Sequence, residues 1–535
     1  MSPRTNSPLR NLLTRGYFPK ELPRPFGTAT LARCISGSAV LPGDFAKSAA
    51  KGNKLPSAQT AIYSLARGAL LRRPLGICSP IHYSLLCKEI TQNWAVIQPR
   101  VAGTVLSATA PEFKSNADER AIDGKFGQGA RSEFAQSTRL GRRYILQTDI
   151  SRFYHSIYTH SVAWALHGKA TAKANRTLGL LGNKIDYWIR MGQDQQTVGV
   201  PIGPDTSLLM AELIMQRCDE ELLRKIPTVK GHRFIDDYEL SFQTRTEAED
   251  AFHILDACLA SFELALNPKK TQVMELPLPL EAPWATELKQ LQFSRNSQQG
   301  QAADLNNYFS KAFALHSANP GEAVLSFAVA RLRTVDVEPA NWALFQKLLL
   351  LCAIPEPSSF PYVLEQIIKR KNDGAGDLVP ELEEITNELV VRHSALHHSS
   401  EVANAAWACL ALRLRLHEGA VDAISTCDDS VVALLALDCE RHGFTSKPID
   451  KSVWSSHMTP DALYDRHWLL AYEANIKNWL PNAAGTDYVA NDINFGFLKQ
   501  NKVSFYNTRL ASPPAVAKVP LPTLPSPPPI MLTGY

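Results

Sequence analysis

The hydrophobic positions of this chain recur with two periods, and the change from one to the other divides it. Near the middle, Gly231-His232-Arg233-Phe234-Ile235 and Tyr238-Glu239-Leu240-Ser241-Phe242 are short runs rich in aromatic and β-branched residues on either side of Asp236-Asp237. That pattern predicts a strand, a tight acidic turn and a second strand. Upstream, Tyr144-Ile145-Leu146-Gln147-Thr148-Asp149-Ile150 predicts another strand with a carboxylate at its end. Helical spacing is found at Ile81, Leu85, Leu86, Ile90 and Trp94, from about His160 to Met191, from an Asp205-Thr206-Ser207 cap to about Leu223, and from Glu247 to Leu264. Leu266-Asn267-Pro268-Lys269-Lys270-Thr271 then turns the chain into a further short strand. Together these predict an α+β sheet with its helices segregated to one face.

From about Asp304 to Asn478 the pattern is almost wholly helical, with segments near 304–315, 320–334, 340–352, 360–371, 378–393, 400–417, 419–426, 429–442 and 460–479. Short Pro, Gly or Asp breaks separate them. Helix hairpins of this length fit a HEAT-like solenoid or an irregular bundle, since no clean repeat is visible. A chain of 535 residues exceeds one hydrophobic core. The patterning divides it into a basic arm and approach at 1–70, a mixed domain at 71–300, an all-α domain at 301–480 and a tail at 481–535. In the tail, Pro513-Pro514, Pro520, Pro522, Pro525 and Pro527-Pro528-Pro529 point to polyproline II or disorder.

Composition is globular, with 45% hydrophobic and 20% charged residues. The net charge of +4 hides an asymmetry: residues 1–150 carry 21 Lys+Arg against 9 Asp+Glu, or +12, so the remainder sums to −8. A basic front portion fits a polyanionic partner or a solvated basic surface. Nine cysteines without C-x-x-C or Cys/His ligand spacing argue against structural zinc and a disulfide framework, and fit a cytoplasmic protein. The longest apolar runs, around Leu348 to Ile354 and Val431 to Leu437, are core-helix sized, so no membrane association is expected. The first twenty residues carry Arg and Ser with no acid and are expected to be a disordered basic arm rather than a transit peptide.

Adjacent carboxylates at a hairpin tip repel unless a cation sits there, and hard divalent cations prefer carboxylate oxygens. An isolated Asp-Asp is more often an Asx turn, and an Asp closing a strand more often a helix cap. Three such carboxylates, with the Ile150 carbonyl, can hold two metals about 4 Å apart, the arrangement that serves nucleotidyl transfer. Gly199-Val200-Pro201-Ile202-Gly203-Pro204 is a bent loop whose backbone can approach a flat base or a phosphate. Two basic clusters, Arg72-Arg73 and Arg139 to Arg143, are candidates for phosphate contact. His393, His397 and His398 lack partnered ligand spacing and fit a polar helix end.

In this order the motifs resemble the palm of reverse transcriptases. Asp149 matches the first palm aspartate, Tyr154 falls at the aromatic sugar-gate position five residues on, and Phe234-Ile235-Asp236-Asp237 matches the Y-x-D-D box with Phe for Tyr. Arg73-Pro74-Leu75-Gly76-Ile77 resembles the fingers segment of group II intron enzymes, and Asn267-Pro268-Lys269-Lys270-Thr271 the later N-x-x-K-T box. These matches cover roughly residues 70 to 275. The loop departs from the pattern, because template-copying enzymes usually carry Gln where Ile202 stands. Gly199-Val200-Pro201-Ile202-Gly203-Pro204-Asp205-Thr206-Ser207, with Arg15 to Pro23, Ser79 to Tyr83 and Thr148 to Tyr154, is similar to bacterial defence-associated, abortive-infection reverse transcriptases.

The resemblance implies fingers and palm followed by a helical-repeat domain, and a Mg²⁺-dependent polymerase of dNTPs, with Mn²⁺ able to substitute. Asp149 and Asp236 are the expected metal ligands, joined by the Ile150 carbonyl and supported by Asp237. Arg73, Arg142 and Arg143 would face the triphosphate, Gly199, Pro201 and Gly203 would shape the substrate loop, Tyr154 would exclude a 2′-hydroxyl, and Lys270 would protonate or neutralise pyrophosphate. A DNA product, an RNA template and self-association through the helical domain are the expected partners. Some such enzymes copy no conventional template, so unconventional templating or protein priming stays open beside ordinary RNA-templated synthesis and a catalytically idle scaffold.

Overall fold

Alternation along the central strands sets the fold. In the computed structural model, which describes residues 7–37, 55–68, 71–116, 118–293, 297–374, 378–482, 485–513, 517–522 and 524, the strands are β1 (Ala61–Arg67), β2 (Leu71–Ile77), β3 (Pro111–Phe113), β4 (Ile122–Gly124), β5 (Tyr144–Asp149), β6 (Lys230–Phe234), β7 (Asp237–Phe242) and β8 (Gln272–Glu275). The chain divides into two compact units: Met1–Pro19, Thr28–Thr60 and Gly76–Leu280 form the first, and Lys20–Gly27, Ala61–Leu75 and Glu281–Tyr535 the second.

The first unit is built on a four-stranded antiparallel sheet in the order β6-β7-β5-β8. Tyr238 and Leu240 are buried and alternate with half-buried Asp237 and Glu239, so the two sets point to opposite faces. Tyr238 and its register partner Arg233 meet the 21-residue helix Asp205–Lys225. The other face is covered by helix Arg131–Arg139, which brings Phe134 against His232 and Phe234 and pairs Arg139 with Glu239 at 2.8 Å. Helices therefore lie on both faces, not on one as the pattern predicted, because the acidic and aromatic residues of β6 and β7 give the second face its own partner. Two further predictions shift: residues 8–15 are helical rather than a disordered arm, and Asp205 does not cap its helix but pairs with Arg120.

Arg233 is the costliest residue in this unit to bury, and it is fully enclosed. Its guanidinium spans Glu212 at 2.9 and 3.0 Å and Asp219 at 2.8 Å, while Tyr238 donates to Asp219 at 2.5 Å and Thr109 to Glu212 at 2.7 Å. Every strong acceptor is thereby engaged, the condition under which buried charges are tolerated.

In the second unit, helices Gln298–Ala318, Val324–Arg331, Trp342–Ala353, Phe360–Asn372, Glu381–Ser394, Ser399–Leu412, Glu418–Ser425, Ser430–Arg441 and Trp468–Ile476 overlap the nine predicted windows, the first extending beyond its window at both ends. Several pack on the next helix and on the next but one. Strand β1, and β2 as far as Leu75, belong here: Ser64 and Ala66 donate their N–H groups to Ser399 and Ser400, and Arg72 is bidentate to the buried Glu401. The expected boundary near residue 70 is thus displaced, and Arg72 serves an ion pair rather than a phosphate. Residues 485–513 are part of the folded unit, with Tyr506 buried and bridged to Phe26; most of the Pro-rich run predicted for the tail, including residues 525–535, lies outside the described residues. None of the nine cysteines forms a disulfide, and among the described residues no helix is long and apolar enough to cross a membrane.

Arg233→Leu leaves Glu212 and Asp219 buried without their cation. The expected loss is about 3–5 kcal/mol of unfolding free energy, read from urea denaturation midpoints; a loss under about 1 kcal/mol would show that the network is not what holds the hairpin.

Candidate active site

Antiparallel register brings the acidic residues together. Asp149, the last residue of β5, stands directly opposite Asp237, the first of β7, so their side chains share one face and one end of the sheet. Phe234 pairs with Asp237, leaving Ile235-Asp236 as a two-residue turn that carries the third carboxylate to the same end. Ile235 has φ +59°, a left-handed conformation costing a β-branched residue on the order of 1–3 kcal/mol. It is held from both sides: its N–H donates to Thr109 Oγ1 at 2.9 Å and its carbonyl accepts from Arg233 at 2.7 Å.

The three carboxylates differ in their partners. Asp149 is buried, accepts from Lys270 Nζ at 2.5 Å through Oδ2, and keeps Oδ1 enclosed with no hydrogen bond. Asp237 accepts from Arg131 at 2.7 Å, and that guanidinium lies 4.6 Å over the Phe234 ring. Asp236 forms no ion pair among the described residues, and its carboxyl is pushed up to about 7 by burial and then by the charges on Asp237 and Asp149. An all-oxygen donor set with one orphaned buried oxygen and one carboxyl resisting ionisation fits a hard divalent cation. At Ile150, the bonds flanking its bridge to Leu266 run from Ser151 N–H to Ala265 and from Asn267 N–H to the Asp149 carbonyl, so the Ile150 carbonyl is not used in that pairing.

Lys270 reaches the centre because Pro268–Lys270 form a short 3₁₀ turn capped by Asn267, and Thr271 anchors it by a 2.6 Å bond to Thr148. Tyr154 is half-buried on the short helix Phe153–Ser156, and its carbonyl accepts from Val200 N–H at 2.8 Å. The Gly-Pro loop is therefore bonded to the turn that carries Tyr154. Gly199 has φ +91° and also donates to Ile157, while Gly203 has φ +123° with Pro19 filling the place of a side chain. Ile202 accepts from Gly76 N–H at 2.7 Å, and a Cβ on Gly76 would meet Pro201 at 2.6 Å.

Arg142 and Arg143 are not brought to this centre. Arg143 is exposed, pairs with Glu275 at 3.0 Å and precedes β5, so Arg142 and Arg143 lie at the opposite end of the strand, about 20 Å from Asp149 at the rise of an extended chain. Arg73 is half-buried on β2 in the second unit. A cation that reaches the site beside Lys270, Arg131, was missed; it opens its helix alone in a polar stretch, and nothing local marks it. In the second unit, His393 and His398 gather with Glu401, but Arg72 already engages both carboxylate oxygens, which agrees with a polar helix end; His397 is not in that cluster. Tyr464, Tyr472, Tyr488 and Tyr506 each donate their hydroxyl within the fold.

Residues 76–298 match the family described as reverse transcriptase (RNA-dependent DNA polymerase). This segment, which contains all three aspartates, is an RNA-directed DNA polymerase-like nucleotidyltransferase domain. Among solved structures the chain is similar to apo telomerase from Candida tropicalis, at 10% identity over 64% of this chain and 71% of that one with a TM-score of 0.29. It is also similar to telomerase from Candida albicans in complex with a TWJ fragment of telomeric RNA, at 14% identity over 64% of this chain and 65% of that one with a TM-score of 0.26. No curated protein matches the chain.

The raised Asp236 carboxyl has a consequence for stability. A carboxyl that is harder to ionise folded than unfolded favours the fold below its unfolded value near 3.8 and loses that contribution as pH rises through about 7. In metal-free protein, Asp236→Asn is therefore expected to match the parent near pH 4 and to exceed it at pH 8 by on the order of 1–2 kcal/mol after screening. Thermal melts in EDTA across that range check it; equal melting temperatures at pH 8 would mean that the three carboxylates do not repel.

Proposed function

We propose that the protein is a DNA polymerase of the reverse transcriptase kind, joining deoxynucleotides by two-metal nucleotidyl transfer, and that it acts in bacterial defence against phage. The observation that carries the chemistry is the β5–β7 register, which sets Asp149 opposite Asp237 with Asp236 in the adjoining turn. Asp149, Asp236 and the Ile150 carbonyl would hold Mg²⁺ or Mn²⁺, which when bound neutralises phosphate charge and activates a 3′-hydroxyl. Asp237, tied to Arg131, holds the hairpin in line. The Lys270 ammonium, already at Asp149, is at hand for the charge of the departing pyrophosphate. Tyr154 would bound the sugar on its 2′ side.

The defence role is supported by the resemblance of the Gly199–Ser207 loop and its companion segments to defence-associated enzymes. An unconventional template or primer is supported by Ile202, which cannot make the amide contacts of the Gln usual there. A helical-repeat second domain in place of a thumb belongs to the same proposal and is supported by the next-but-one packing of its helices. A protein hydroxyl would be an alternative primer, though four candidate tyrosines are already bonded and Tyr535 lies outside the described residues.

Asp236→Asn/Asp237→Asn is expected to lower deoxynucleotide incorporation by at least about a hundredfold while the protein stays folded, the size of effect seen when charge stabilisation at a reacting centre is removed. Incorporation at the parental rate with matched Mg²⁺ would instead identify an idle scaffold. The same variant should abolish protection of a bacterial host in a plaque assay; protection retained with activity lost would separate defence from synthesis.

Tyr154→Val is expected to raise ribonucleotide use relative to deoxynucleotide use, read by paired incorporation assays. An unchanged ratio in an active variant would place the sugar gate elsewhere. Product that enters a gel without protease treatment and copies any supplied RNA would make the enzyme an ordinary primer-templated reverse transcriptase.

A further inference from the structure

The first unit contains a second concave site that the acidic centre does not use. Helices Ser161–His167 and Leu181–Met191, with the short helix Lys169–Ala174 and the segment after it, line a cavity of about 250 Å³. That is larger than the roughly 150 Å³ cavity that holds a benzene ring. One wall is aromatic: the Tyr158 ring meets Trp164 at 5.5 Å between centroids and His160 at 4.9 Å, both edge to face. Tyr158 is half-buried, so part of it is open to an incoming ring.

The floor is a fixed charge network. Asp186 is 3% exposed and accepts from His160 Nδ1 at 2.8 Å and Arg190 Nε at 3.1 Å, which locks both side chains at the cavity. The rim is cationic. Lys173 lies 5.7 Å from the Trp164 ring, and neither Lys173 nor the exposed Arg176 forms an ion pair among the described residues. With the charge of Asp186 balanced by Arg190 on Oδ2, while its Oδ1 is buried without a hydrogen bond, the rim has two positive charges without a counterion.

An aromatic wall beside uncompensated cations selects a ligand that is flat at one end and anionic at the other. A divalent cation would be repelled by the rim, and a hydrocarbon would strand the charged floor. Stacking on an aromatic ring with phosphates on Lys and Arg is how single strands are held without regard to sequence. We propose that this cavity binds one nucleotide, its base against Tyr158 and its phosphate on Lys173 and Arg176. The nucleotide is either a unit of a single strand or a free one. The site is separate from the catalytic aspartates and does not depend on the polymerase proposal.

The test uses the full chain carrying Asp236→Asn in EDTA, so that metal-dependent binding at the acidic centre is removed. Anisotropy of fluorescein-labelled hexadeoxyadenylate reports the strand, and displacement by ATP reports the free nucleotide. Lys173→Glu/Arg176→Glu, on exposed positions, is expected to weaken binding at least tenfold, and Tyr158→Ala at least fivefold. Arg245→Glu, an exposed cation on another helix, serves as the control for general charge and is expected to change binding less than twofold. Displacement by ATP assigns the site to free nucleotides, and binding of the hexamer alone assigns it to a strand. Binding of neither overturns the proposal, as does a charge reversal no more harmful than Arg245→Glu. Loss on charge reversal with full binding by a folded Tyr158→Ala, verified by its melting curve, would leave only a phosphate patch and overturn it as well.

Discussion

The buried Arg233 is the constraint on which the acidic end of the sheet depends. A guanidinium with no exposure must have anionic partners, and here they come from two positions two turns apart on one helix, Glu212 and Asp219. The same guanidinium donates to the carbonyl of Ile235, and Thr109, which binds Glu212, also accepts the Ile235 N–H. The left-handed turn is therefore part of the ion network. Without it the turn would relax toward an unstrained conformation, and Asp236 would lose its place beside Asp149 and Asp237.

That placement creates an electrostatic imbalance at the turn end of the same hairpin. Three carboxylates converge, and the protein supplies two cations, Lys270 on Asp149 and Arg131 on Asp237. The third carboxyl stays hard to ionise. Such an imbalance destabilises a fold unless something cationic completes it, and pairing two of the three keeps the cost small in the metal-free state. The two held aspartates are also unequal: Asp149 keeps one oxygen without a hydrogen bond, whereas Asp237 is drawn toward the helix that covers its face. This inequality supports Asp149 and Asp236 as the direct ligands and Asp237 as the residue that fixes the hairpin.

What could be read from the sequence was what is local. Asp149 and Asp236-Asp237 were visible because a strand end and a hairpin tip are written in consecutive residues, and nine helices followed from sustained periodicity. Arg131 and Arg72 were not, because their partners lie 106 and 329 residues away and nothing in a local window records them. The same limit displaced the domain boundary: nothing local in residues 61–67 marks them as part of the helical unit, yet N–H groups of β1 are taken up by serines of a helix far along the chain. Arg142 and Arg143 misled for the opposite reason. Consecutive basic residues resemble a phosphate patch, but a six-residue strand separates them from the chemistry.

The Gly-Pro loop shows how a substitution can alter function without altering the backbone. Its course is fixed by main-chain bonds from Gly199 to Ile157, from Val200 to Tyr154 and from Gly76 to Ile202, and by glycines at the two positions of positive φ. None of these bonds uses the side chain of residue 202. The loop can therefore keep its shape with Ile or with an amide-bearing residue there, so the departure from the usual Gln removes hydrogen-bonding groups while leaving the scaffold intact. A change confined in that way bears on what the loop can hydrogen-bond, and not on whether the domain folds.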